Sequence, residues 1–308
     1  MAPELEGRIA VVTGASTGIG EAAAERLASA GATVIAAART LGDDSAPEPE
    51  TLAYTVNQIR SRGGEAYAYR VDVSDPASRA EFMDAVLDRF GRVDVLVNNA
   101  GISGIGKRVW EMPDEQFRLV YEVDVFGPRD LIVRALPGML ERGYGRIVNV
   151  STTAADRSAP NPAGPPFLPW HRDAGVSAYC SARAALNMLT RTLAAELHGK
   201  GISANTVAPV NSVITRAVRR GIEAGTLSWD RFTAPEDAEV MAEAILALCV
   251  VDPDVSTGLT TYSGQYLAAI GRPVRGRDGG PFDATVTVES VKYQGGLTTP
   301  PPSSPTAR

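Results

Sequence analysis

The chain has 308 residues, 44% of them hydrophobic and 21% charged, with a formal net charge of −6. That length and apolar content can bury a full α/β core, about three quarters of the unfolded surface. Scattered Lys and Arg leave no electrostatic footprint for nucleic acid, and no apolar run reaches membrane-spanning length. Two cysteines, Cys180 and Cys249, make neither a disulfide framework nor a metal spacing.

The first element is an apolar run, Ile9-Ala10-Val11-Val12, that reads as a buried strand. Thr13-Gly14-Ala15-Ser16-Thr17-Gly18-Ile19-Gly20 follows and leads into helix-forming Glu21-Ala22-Ala23-Ala24-Glu25-Arg26-Leu27. A strand, a glycine-rich turn and a helix N-terminus together make an anion site, because the first amides of a helix lack partners and its dipole favours negative charge. Gly14 permits the turn, Gly18 admits a pyrophosphate to the backbone, and Gly20 allows helix and strand to pack closely. A plain βα turn would show the same glycines, so the loop needs its partners further along.

Those partners come in order. Ala32–Ala38 reads as a second strand, ending at Arg39, and an acidic insertion spans residues 40–50. Ala66–Val71 is a third strand, followed by Asp72-Val73; Val93–Val97 is a fourth, followed by Asn98-Asn99-Ala100-Gly101. Arg146–Val150 is a fifth, followed by Ser151-Thr152, and a proline-rich excursion covers 156–175. Tyr179-Cys180-Ser181-Ala182-Arg183 then opens a long helix, and a sixth strand ends at Ala208-Pro209-Val210. Alternation of strands and helices argues for one α/β sheet in a single domain. The domain is expected over residues 1–271, with 272–308 a mobile Gly/Pro-rich tail. The N-terminus, Met1-Ala2-Pro3-Glu4-Leu5-Glu6, lacks a basic and apolar signal region, and a cytoplasmic location is expected.

These motifs, in this order, resemble the short-chain dehydrogenase/reductase family, in the subgroup built on TGxxxGxG, NNAG and YxxxK. The resemblance covers residues from about 5 to 270 and implies a Rossmann-type, doubly wound parallel α/β sheet of about seven strands with helices on both faces. It implies a nicotinamide dinucleotide lying along Gly14, Ser16, Thr17, Gly18, Ile19 and Gly20, with Asp72 and Val73 at the adenine. Asn99, Ala100 and Gly101 would line the adenosine ribose, although Asn is common at strand-end turns anyway. Tyr179, Arg183, Pro209, Val210 and Thr215 would meet the nicotinamide half. An acidic residue at the end of the second strand would select NAD(H). This chain has Ala38 and Arg39 there, and a guanidinium suits a 2′-phosphate, so NADP(H) is expected, with NAD(H) as the alternative. Asp43 and Asp44 lie close enough in sequence to neutralise Arg39, and a surface role for Arg39 stays open.

The catalytic set implied by the resemblance is tyrosine, lysine, serine and asparagine. Residue by residue it falls on Tyr179, Arg183, Thr152 (with Ser151 the near alternative) and Asp124. Three of four positions therefore differ from the family pattern. Arg183 keeps a positive charge one helical turn from Tyr179, and such a charge favours phenolate over phenol. It cannot release a proton, so any relay through it is lost. Asp124 beside Arg183 reads as a matched exchange, an ion pair in place of an amide and an ammonium; independent drift in a site that no longer reacts is the other reading.

The expected reaction is hydride transfer between the nicotinamide and a carbonyl or secondary-alcohol carbon of a small, moderately apolar substrate. Non-redox chemistry such as dehydration or isomerisation, cofactor binding without turnover, and a structural role in a mixed oligomer are the alternatives. The resemblance implies a homodimer or homotetramer through helices around 114–142 and 178–198. Phe167, Trp170 and His171 would form a lid or pin the proline-rich loop, and Trp110 would pack on the core or the pocket entrance. Arg216, Arg219 and Arg220 would meet an anionic group or be solvated, Cys180 is a reactive thiol or a packed residue, and His198 closes the tyrosine helix.

Overall fold

A computed structural model of the chain describes residues 3–102, 106–155, 175–210, 212–225 and 235–284. Strands β1 (Ile9–Thr13), β2 (Thr33–Ala38), β3 (Glu65–Arg70), β4 (Val95–Asn98), β5 (Gly145–Val150), β6 (Ile202–Ala208) and β7 (Thr260–Tyr262) form one sheet. Their order is β3-β2-β1-β4-β5-β6-β7, and the pairs are parallel. The chain winds outward from β1 in both directions, so the order reverses between β1 and β4. A crevice opens there at the carboxyl ends of the strands.

Alternation along each strand supplies two cores. Ala10, Val12, Val97 and Val148 face one side, with α1 (Gly18–Ser29), α2 (Leu52–Ser61) and α8 (Ala238–Cys249) over them. Val11, Leu96 and Ile147 face the other, under α3 (Pro76–Phe90), α5 (Gly127–Arg142) and α6 (Ser177–Glu196). Short helices α4 (Asp114–Tyr121), α7 (Arg216–Glu223) and α9 (Ser263–Ala269) complete the described elements.

The helical stretch expected over 114–142 is divided. Between α4 and α5 the backbone forms a π-helical turn, Glu122–Phe126, with Asp124 at its centre. Such turns are rare and gather at functional sites. Buried Arg79 braces this one: it donates to Glu122 Oε1 at 2.8 Å, to Asp130 Oδ2 at 2.7 Å and to the Val73 carbonyl at 2.7 Å.

Residues 272–284, expected as the start of a mobile tail, are instead held on α1 and α8. Arg272 joins Glu4 to Glu243, and Arg277 bonds Glu21, Glu25 and Glu239. The composition of this stretch concealed them, because ion pairs leave no apolar periodicity. Residues 285–308 lie outside the described residues, as do 156–174 with Phe167, Trp170 and His171. No described helix is long and apolar enough to cross a membrane.

Candidate active site

The glycine loop depends on glycine at two positions. Gly14 takes φ 66°, and a Cβ there would stand 2.8 Å from Asn99 Nδ2. A Cβ on Gly20 would strike the Gly14 carbonyl, so only glycine lets α1 approach β1 this closely. Thr17 is the N-cap of α1, yet its side chain makes no capping bond, and its buried hydroxyl has no partner. An unclaimed hydroxyl beside unclaimed helix amides is the donor set that a pyrophosphate needs. Ser16, Thr17 and Ile19 line this turn, with Ser16 and Ile19 half-buried.

Asn99 braces this loop. Its Nδ2 donates to the Thr13 carbonyl at 2.9 Å and to the Gly14 carbonyl at 3.3 Å, and Thr13 Oγ1 accepts from the amides of Asn99 and Ala100 at 3.1 Å each. Beneath it, Asn98 Nδ2 donates to Asn149 Oδ1 at 2.8 Å, and Asn149 Nδ2 donates to Thr190 Oγ1 at 2.7 Å. The Asn-Asn pair thus locks β4 to β1 and β5.

After the end of β3, Asp72 accepts from Ser74 Oγ at 2.7 Å and from its amide at 2.9 Å. Those bonds, helped by the charges of Arg39 and Arg70, hold its carboxyl below the ordinary carboxylate range. Val73 is fixed through its carbonyl by Arg79. Arg39 extends exposed from the end of β2 beside buried Ala38. Asp43 turns to its own loop, accepting from the Ser45 amide and hydroxyl at 2.8 and 2.7 Å.

At the other end, Arg183 lies between Tyr179, Asp124 and the carboxyl end of β5. Arg183 lies with its guanidinium carbon 5.5 Å from the centre of the Tyr179 ring. Its Nη1 donates to the Val150 carbonyl at 2.6 Å and its Nη2 to Asp124 Oδ1 at 3.3 Å. Asp124 and Arg183 are both buried, so the ion pair read from the sequence is present in the structure. The Ile102 amide donates to the same Oδ1 at 3.0 Å. Burial pushes the Asp124 carboxyl up, while the Arg183 charge and the Ile102 bond pull the other way; burial wins. A Cβ on Gly101 would collide with Arg183, so the guanidinium lies hard against that backbone.

The two hydroxyl candidates differ. Ser151 Oγ is buried without a partner, whereas Thr152 Oγ1 accepts from the Ala154 amide at 3.1 Å and keeps its own proton to donate. Asp124 Oδ2 and Arg183 Nε are likewise buried and unpartnered.

Beyond β6, after Pro209, the Val210 amide donates to Glu236 Oε2 at 3.0 Å, and Ser263 Oγ bonds the other oxygen. Sequence reasoning passed over Glu236, which carries no motif; burial pushes its carboxyl up to about 7. Thr215 caps α7 by accepting from the Val218 amide at 3.3 Å. Trp110 departs from expectation: it is 75% exposed, with Arg108 over its ring at 5.7 Å. Cys180 is half-buried, Cys249 is fully buried with its thiol pushed up to about 12, and His198 is exposed past the end of α6.

Known proteins are similar to this chain in sequence and in fold. A family model described as enoyl-(acyl carrier protein) reductase matches residues 14–262. The 7alpha-hydroxysteroid dehydrogenase of Escherichia coli K12 is 31% identical over 278 residues, 88% of this chain and 96% of that protein. The 3-oxoacyl-[acyl-carrier-protein] reductase FabG of Vibrio cholerae is 30% identical, over 85% of this chain and 99% of its own. A crystal structure of a point variant of actinorhodin polyketide ketoreductase with NADPH superposes with a TM-score of 0.68 at 28% identity, covering 85% of this chain and 97% of that one. With the glycine loop, the sheet order and the Tyr179 helix in place, the chain belongs to the short-chain dehydrogenase/reductase family of oxidoreductases.

Proposed function

We propose that the protein is an NADP(H)-dependent oxidoreductase acting on a carbonyl or secondary alcohol of a small, moderately apolar molecule. The observation that carries this reading is the half-buried Tyr179, one helical turn from Arg183, whose guanidinium in turn bonds the end of β5 just before Ser151 and Thr152. By their names, a hydroxysteroid dehydrogenase, a 3-oxoacyl reductase and a ketoreductase all interconvert a carbonyl and an alcohol. The unclaimed Thr17 hydroxyl and the glycine cradle fit a dinucleotide pyrophosphate. When bound, the dinucleotide supplies or takes up the hydride.

The chain's own residues handle the proton. Tyr179 Oη gives it to the substrate oxygen in reduction, and the Thr152 or Ser151 hydroxyl orients that oxygen. Arg183 fixes the ring through its charge and is itself fixed by the Val150 carbonyl and Asp124. Because arginine keeps its protons, resupply passes to Asp124, whose Oδ2 has no partner and whose burial favours holding a proton.

Exposed Leu119, Phe126, Val133 and Leu140 stand seven residues apart along α4, the π-helical turn and α5, and Met188 is exposed on α6. That seven-residue apolar spacing suits a second copy of the chain, a homodimer or homotetramer. Neither cysteine is in a disulfide, which suits a reducing, cytoplasmic setting.

The test is NADPH- against NADH-dependent turnover with a panel of ketones. Tyr179→Phe is expected to lower the NADPH-dependent rate about 10²- to 10⁴-fold; turnover equal to wild type removes the redox reading. Arg39→Ala is expected to weaken NADP(H) binding roughly ten- to a hundredfold and to spare NAD(H). An unchanged NADP(H)/NAD(H) affinity ratio in binding titrations removes Arg39 as the selector.

A further inference from the structure

The π-helical turn at Glu122–Phe126 has a cause in the sequence. Pro128, in the first turn of α5, has no amide hydrogen to give the Asp124 carbonyl four residues back, and a proline ring crowds that carbonyl. The helix widens there, and the Gly127 amide donates to the Glu122 carbonyl, five residues back. Asp124 stands at the centre of the widened turn, where its carboxyl meets Arg183 and the Ile102 amide. Proline removes a bond, but it does not choose the shape that replaces it.

Arg79, on α3, holds that shape. Its Nη2 donates to Glu122 before Asp124 and to Asp130 after it, at 2.8 and 2.7 Å. Along an uninterrupted helix those two residues would be about 12 Å apart. Its Nη1 donates to the Val73 carbonyl at 2.7 Å, and a Cβ on Gly127 would lie 3.0 Å from that same oxygen. Val73 is a firm anchor, because the turn around it is tied to the start of α3. Asp72 accepts from Ser74, its own amide donates to Ser78 Oγ at 3.0 Å, and Asp75 caps the helix. One side chain thus clamps both flanks of Asp124 to the turn after β3.

The Arg79 side chain is 2% exposed, and its Nε has no partner. A buried guanidinium is a poor device for stability, since well-packed apolar side chains in its place are often neutral or better. Its best-attested use is to impose one arrangement among several. Its charge is not what acts on Asp124: that carboxyl answers first to burial, then to Arg183 and the Ile102 amide. What Arg79 supplies is position.

We infer that Arg79 is a positioning residue for the proton-handling site: by clamping Glu122 and Asp130 to the Val73 carbonyl, it sets where the Asp124 carboxyl stands relative to Arg183. This rests on the reading of Asp124 given above and extends it to α3.

Three variants of the full chain loosen the clamp: Arg79→Lys, Glu122→Gln and Asp130→Asn. The Glu122 and Asp130 side chains are 31% and 27% exposed, so their variants should fold even where Arg79→Lys does not. In the free protein, the Asp124 carboxyl is followed by carbon NMR with labelled aspartate, its signal assigned by its loss in Asp124→Asn. Each variant is expected to lower its titration midpoint by about half a pH unit or more, because a relaxed turn admits water to a group that burial holds up. With NADPH and a ketone that the unaltered protein reduces, kcat is expected to fall about two- to thirtyfold and to change its pH profile in the direction of Asp124→Asn. In the Asp124→Asn background, Arg79→Lys should add little to the loss. A titration that stays at wild type in every folded variant overturns the inference, whatever happens to the urea midpoint. A lowered titration with wild-type turnover upholds the placing of Asp124 by Arg79 and removes Asp124 from the proton path. A protein without NADPH-dependent turnover overturns the redox reading alone, because the carboxyl measurement needs neither cofactor nor substrate and still decides the role of Arg79.

Discussion

Asp124–Arg183 and Glu243–Arg26 join the same two chemical groups at similar depth, yet they differ in what is left over. At Glu243 every oxygen is taken: Oε2 accepts from Arg26 Nε at 2.7 Å, and Oε1 from Arg272 Nε at 2.6 Å and Arg26 Nη2 at 3.4 Å. The arginines are satisfied in turn, Arg26 by Ser29 and Arg272 by Glu4. At Asp124 one oxygen collects both bonds, while Oδ2, Arg183 Nε and the neighbouring Ser151 hydroxyl stay buried and unpartnered. Leaving a buried polar atom unmet costs about 1–3 kcal/mol, so folded chains tolerate such atoms in groups only where they serve something else. The first pair is fastened for stability, and the second is held ready for a substrate, a water or a proton.

The largest expected effect separates the two by stability. Glu243→Gln leaves Arg26 and Arg272 facing a neutral amide between α1 and α8, and should cost about 3 kcal/mol. That is a large share of a domain's total stability, and the urea midpoint should fall accordingly. At room temperature the folded variant should keep wild-type affinity for NADPH, because none of these side chains lines the crevice. A variant as stable as wild type, or one that loses NADPH binding while folded, would erase the distinction.

Glu236 sharpens the comparison as a buried carboxylate whose donors among the described residues are neutral, the Val210 amide and the Ser263 hydroxyl. Without an arginine, burial raises its carboxyl from 4.5 to about 7. The folded state therefore binds this proton more tightly than the unfolded chain does. Its stabilising contribution is complete below pH 4.5 and is lost as pH rises through about 7, a change of about 3 kcal/mol across the window. Glu236→Gln keeps an acceptor for Val210 and should flatten the fall of stability between about pH 5 and 8. A pH–stability profile with the wild-type slope would show that the group does not titrate there.

The sites where local sequence was decisive are those whose partners lie within a few residues. The glycine loop and the strand ends are short-range geometry, and glycines and apolar runs announce them. Asp124 and Arg183 were legible for a different reason: each breaks the family pattern, and the two breaks are opposite in charge. Glu21–Arg216 and Glu50–Arg220 were not legible, because pairs 195 and 170 residues apart in the chain have no local pattern, and acidic residues in a loop look solvated. Arg272 and Arg277 were missed on the same grounds. Trp110 erred in the opposite direction, since a large apolar ring suggests burial and only the packed fold shows it left outside.

The smallest expected effect is the most specific to the site. Asp124→Asn frees Arg183 from its counter-charge, and Arg183→Lys replaces a planar fork that serves the Val150 carbonyl and Asp124 together with a single ammonium that must choose between them. Each single variant should therefore lose turnover, and Asp124→Asn should also change its pH dependence, since a buried carboxyl that favours the proton has gone. In the double variant a neutral amide faces an ammonium, and neither charge is left without its intended neighbour. Its kcat/KM should exceed that of either single variant. The double-mutant cycle should give an interaction of about 1 kcal/mol or more, a departure of at least about fivefold from the product of the single effects. Strict additivity would mean that the two side chains touch without sharing a task, and Asp124–Arg183 would then be a structural pair like Glu243–Arg26, with its unpartnered atoms left unexplained.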